Sequence, residues 1–100
     1  MKTVWIVLHG EKNKGGYIQN VKHVCATKEV GEKMYLKMCY ILRDRWQSRR
    51  NYNQEEYQGK YETITLYDGS VAERMEVGSD YALLYEVKVI NEVINEVIND

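Results

Sequence analysis

The sequence predicts an α+β fold: a mainly antiparallel sheet of four to five strands, one long helix across one face, and a short C-terminal helix. Three observations predict it. Short β-branched and aromatic runs recur between glycine-containing turns. One stretch, 28–48, carries apolar residues at steps of three and four. Residues 89–100 read VINEVINEVIND, a four-residue word whose Val-Ile pair returns at helical spacing. A chain of 100 residues with 44% hydrophobic and 29% charged side chains suits a single globular domain, 1–100.

The first strand is TVWIVLH, Thr3 to His9. Alternation sets Val4, Ile6 and Leu8 on one face and Trp5 and Val7 on the other, so both faces are apolar. GEKNKGG, from Gly10 to Gly16, reads as a polar turn. Tyr17 to Ala26 makes the second strand, and a hairpin with the first is the simplest pairing. Strict alternation there puts Ile18 and Val24 on one side and Tyr17, Val21 and Cys25 on the other.

Thr27 is a suitable N-cap for the helix, with Glu29 in its first turn. Val30, Met34, Met38, Ile41, Leu42 and Trp46 form its core-facing stripe. Arg45, Arg49 and Arg50 crowd the end where cations complement the helix dipole. After a polar connector, Tyr61 to Tyr67 forms a third strand, and Asp68-Gly69 signals a hairpin. Val71 to Val77 alternates and is read as a strand in preference to a short helix. Tyr81 to Ile90 is the fifth strand.

That strand cannot run on to Asp100. It would then be about 66 Å long, far beyond a globule whose radius of gyration is about 13 Å. Strand geometry would also split each Val-Ile pair between faces, whereas helix geometry gathers them into one stripe backed by Asn and Glu. Such a helix does not stand alone in water, because Val, Ile and Asn are mediocre helix formers. The long helix can hide one face of the sheet only. On this reading Trp5, Val7 and some tyrosines decorate the other. The terminal helix either folds back over that second face or carries it into a homodimer.

Composition narrows function more than it defines it. A formal net charge of −1 provides no global field for nucleic acid or membrane. No apolar run reaches the roughly 20 residues that span a bilayer, and the opening residues are too short an apolar stretch for a signal peptide. A cytoplasmic protein is expected, with Cys25 and Cys39 reduced and buried. His9, His23, Cys25 and Cys39 lack zinc-ligand spacing, so no metal or cofactor is expected. Ser48, Ser70 and Ser79 lie in no nucleophile motif, and a pairing of Cys25 with His9 is outweighed by a buried, inert thiol. No enzyme is expected.

Binding groups remain. His9 and Glu11 lie at a strand exit, where ligand contacts often sit. RDRWQSRRNYNQ interleaves Arg43, Arg45, Arg49 and Arg50 with Trp46 and Tyr52. Arginine beside aromatics is the vocabulary of phosphate pairing and base stacking. A structural reading competes: Trp46 falls on the core stripe, and helix-end arginines complement the dipole.

The opening KTVWIVLHGE, with ATKEVGEKM at the helix start, resembles small α+β proteins of unknown function borne by phages and prophages. The resemblance extends to about residue 40 and carries over no functional residue. It implies a phage-type accessory protein whose target is a host protein. The expected function is therefore non-enzymatic binding that modulates or inhibits a host protein, with Trp5 among the contacts of an apolar face. The alternative is a nucleotide or nucleic-acid binder that uses Arg43–Arg50, a class that includes proteins sequestering a signalling nucleotide.

Overall fold

A computed structural model describes residues 2–13, 15–48 and 57–89. The elements are β1 (Lys2–Asn13), β2 (Gly16–Cys25), α1 (Lys28–Gln47), β3 (Lys60–Thr65), β4 (Val71–Val77) and β5 (Asp80–Val89). The strands form one sheet in the order β2-β1-β5-β4-β3, antiparallel at every pairing. The α+β expectation therefore holds, and Val71–Val77 is a strand. Val89, where the terminal helix was expected to begin, is instead the last residue of β5. The rest of that expected helix, 90–100, lies outside the described residues.

β1 does not stop at His9. It runs to Asn13, which pairs with Gly16, so the expected seven-residue turn shrinks to the two residues between them. Gly10 can stay in the strand because the Tyr81 ring fills the place of its missing side chain. β2 also departs from strict alternation. Val7 faces His23 but Leu8 faces Val21, so Lys22 is an extra residue in a bulge. The bulge shifts the period by one, and Val21 and Val24 come to share a face.

The hairpins follow their glycines. β3 and β4 are joined through Leu66 and Ser70, whose backbones bond at 2.7 Å. The loop between them has three residues rather than two, and ends on Gly69 at φ +87°. β4 and β5 meet at Gly78-Ser79, between the paired Val77 and Asp80. Gly78 takes φ +58° there.

Thr27 caps α1: its side chain accepts from the Val30 N–H at 3.2 Å. Thr27→Ala is expected to cost about 1 kcal/mol and to lower Tm by about 5 °C, which calorimetry would read. The helix buries Gly31, Tyr35, Cys39 and Leu42, with Trp46 half-buried further on. This is a correction to the expected stripe, since Val30 and Ile41 are exposed. Leu42 is buried as expected and Met34, Met38 and Trp46 pack against the core, but Gly31, Tyr35 and Cys39 take the centre of the stripe, and Gly31 brings the helix very close to the sheet. A Cβ at Gly31 would lie 2.8 Å from Trp5 Cβ and 3.2 Å from Leu84 Cδ1.

The main core lies between helix and sheet. Tyr35, Cys39 and Leu42 pack on Val7, Ala82, Leu84, Met75 and Val77. Removing a residue such as Leu42 from water stabilises the fold by roughly 2 kcal/mol. Burial pushes the Tyr35 phenol and the Cys39 thiol above their ordinary values. Cys39 is thus a buried core thiol, as expected.

The helix covers the Trp5–Val7 face, the opposite of the expected arrangement. Trp5 packs against this core under the helix start. Alternation sorts residues into two sets but cannot say which set a helix will cover. The face left without a helix carries Val4, Ile6, Leu8, Tyr81, Leu83, Tyr85 and Val87. Leu8, Tyr81 and Leu83 form a second, smaller cluster there, with Ile64 and Tyr85 against it.

Candidate functional site

The open face has one closed end and one apolar end. At the closed end Tyr81 lies across Gly10, and Gln19 Nε2 donates to its hydroxyl at 2.7 Å. Tyr17 meets the Tyr81 ring edge-on at 6.4 Å between centroids, and the Arg74 guanidinium stands 5.1 Å from it. Arg74 also bridges Glu62 at 3.0 Å and Glu76 at 3.1 Å, while Lys12 bonds Glu76 across the sheet. The Lys12 hydrogen bond, with Arg74 beside it, holds the Glu76 carboxyl below the usual carboxylate range. These charges satisfy one another, and leave little for a ligand at this end.

The apolar end faces the start of β1. Val4 and Ile6 are half-buried there, beside the exposed Val21 (56%) and Val24 (63%) of β2. β2 is an outermost strand, and all of it before Cys25 is exposed. Tyr17 and Ile18 are large apolar residues exposed on the same strand. Among the described residues nothing pairs with its outer backbone edge. The bulge at Lys22 partly protects that edge, as twisted edges resist chance pairing.

On the same face, a trough of about 830 Å³ opens between the end of β5 and the β3–β4 hairpin. Leu8, Leu83, Tyr85 and Val87 line it on one side and Leu66 and Val71 on the other. It exists because β5 outruns its neighbour. The last β4–β5 pair is Ala72 with Tyr85, so residues 86–89 of β5 pair with β1 but not with β4.

On the helix face, three of the expected site residues converge on one that the sequence did not single out. The Asp80 carboxylate, 4% exposed, accepts from Trp46 Nε1 at 2.7 Å and from His9 Nε2 at 2.8 Å. Arg45 Nη1 stands 3.7 Å away. A carboxylate only accepts, so the His9 nitrogen facing it carries the hydrogen. Gly78 makes room for this cluster: a Cβ there would lie 2.2 Å from the Trp46 ring. The arrangement ties the last turn of α1 to the β4–β5 turn, and commits His9 and Trp46 to internal bonds. Its sequence signal was thin: an acid just after a Gly-Ser turn, at the head of an apolar strand.

The other expected contacts are dispersed. Trp5 lies under the helix, and Glu11 is exposed further along β1. Arg43 donates to the Cys39 carbonyl at 3.4 Å and lies 5.9 Å from the Tyr61 ring. Arg49, Arg50 and Tyr52 lie outside the described residues. Cys25 sits opposite Trp5 and His9 opposite Asn20, so those two are not paired. Among the described residues no group of three or more His, Cys, Asp or Glu could hold a metal ion. No helix among them is long and apolar enough to cross a membrane.

No family model, curated protein or solved structure matches the chain.

Proposed function

We propose that this chain is a non-enzymatic binding protein that engages a partner protein through β2 and the adjoining apolar end of the open face. Following the phage-type resemblance, the partner is a host protein that the chain modulates or inhibits. The observation that carries the reading is the exposed outer strand. Val21 and Val24 stand on it in solvent, opposite Leu8 and Ile6 of the open face, and the exposed Tyr17 and Ile18 lie further along the strand, opposite Lys12 and Glu11. A partner strand or loop laid along this edge would gain main-chain hydrogen bonds and remove those side chains from water. The contact surface thus moves from Trp5, which the helix covers, to the opposite face of the same hairpin.

The nucleotide reading gains less. Of its arginines, Arg43 bonds within the helix and stands by Tyr61, while Arg45 is drawn to Asp80. Trp46 donates to Asp80 and leans on the Tyr57 ring at 5.2 Å. That leaves little of the described stretch to stack on a base.

Variants on the two surfaces separate the readings. The full chain, immobilised, is expected to capture a host-cell protein, and the double variant Val21→Lys, Val24→Lys to capture at least tenfold less. Both positions are exposed, so folding should survive, and circular dichroism would check it. Arg49→Glu with Arg50→Glu should leave capture intact. The reverse pattern, or no captured protein with any variant, would refute the partner reading.

A further inference from the structure

We infer that the trough between β5 and the β3–β4 hairpin receives residues 90–100 of a second copy of this chain, making a twofold dimer. The inference is independent of the partner reading, which uses the β2 side of the face.

The trough is apolar at its floor and open along one backbone edge of β5. Along β5 it spans Leu83 to Lys88, a run of about 17 Å at roughly 3.3 Å per residue. Residues 90–100 wound as a helix would measure about 16 Å at roughly 1.5 Å per residue. The lengths match. Ile90, Val93, Ile94, Val97 and Ile98 fall on one stripe, at steps of three and four. In the same helix Asn91, Glu92, Asn95, Glu96 and Asn99 would fall opposite that stripe. Glu86, Lys88 and Asp68 at the rim are of mixed charge, so apolar fit and not charge selects the occupant.

The connection favours a second copy over the chain's own return. Val89 is still paired with Lys2 in the sheet, and the stripe begins at the next residue, Ile90. Neither glycine nor proline follows Gly78. Folding back over its own trough would spend the first residues of the stripe on a turn. A twofold axis removes that need, because each segment runs outward onto the other copy, and the same surface serves both. A helix of this composition would not form unaided, so assembly and helix formation should occur together.

Sedimentation of the full chain over micromolar concentrations is expected to show a dimer. Ile94→Asp should weaken it at least tenfold. So should Val87→Lys, a change at the half-buried far end of β5. Val21→Lys with Val24→Lys should leave the dimer intact, which separates this inference from the partner reading. A benzophenone side chain in place of Ile94 should cross-link into a covalent dimer. A monomeric full chain, a dimer indifferent to Ile94→Asp, or a cross-link confined within one chain would each overturn the inference.

Discussion

Asp80→Ala is expected to destabilise the protein by about 3 kcal/mol, a range seen when one member of a buried charged network is removed. The carboxylate is the shared acceptor for Trp46 and His9, at 2.7 and 2.8 Å, and is itself almost fully buried. Alanine would remove this acceptor from both donors, and would release Arg45 as well. For a domain of this size the loss corresponds to a fall in Tm of roughly 15 °C. Asp80→Asn should be milder, near 1 kcal/mol. The amide oxygen still accepts from Trp46, and the amide N–H can face His9 once that ring takes its other tautomer. Urea titration of the three proteins, followed by tryptophan fluorescence, would measure this. Equal stability of Asp80→Ala and the native chain would show that the cluster does not hold helix to sheet.

Gly10→Ala should cost about 3 kcal/mol, at the upper end for forcing extra volume into a packed site. A Cβ at Gly10 would stand 1.9 Å from Tyr81 Cζ and 2.3 Å from Cε2. No small shift accommodates that, so the ring must leave. It would give up its bond from Gln19 and its packing with Tyr17 and Arg74. The contact can be isolated by a double-mutant cycle. Tyr81→Ala will itself be destabilising, but in its background Gly10→Ala should add well under 1 kcal/mol. Strictly additive costs would mean that Tyr81 is not why position 10 is glycine.

Both predictions concern residues whose importance the sequence hides. Gly10 reads as the start of a loop, and its true role depends on a tyrosine 71 positions away that lies across it. Asp80 reads as a turn residue, and becomes a buried acceptor only once Trp46 and His9 are brought to it. His9, Arg45 and Trp46 were visible as candidates for ligand contact. What they contact here is one another's partner, so composition flagged the residues but not their use.

The open face was only half legible. Two apolar sets on β1 and a single long helix require that one face lack a helix, and that follows from counting alone. Which face it would be did not follow. The close approach at Gly31 decided it, by seating the helix on Trp5 and Leu84. The bulge at Lys22 then gathered Val21 and Val24 on the open side, where strict alternation would have parted them.

The sequence by itself determined the elements, since periodicity, capping at Thr27 and the turn glycines are local and act over a few residues. It also determined that apolar surface would be left over. Only the tertiary structure decided strand order, which face the helix covers, the Asp80 cluster and the trough beside β5. Those depend on contacts between residues far apart in the chain, and on steric details such as a missing Cβ or one extra residue in a strand, which no local pattern encodes.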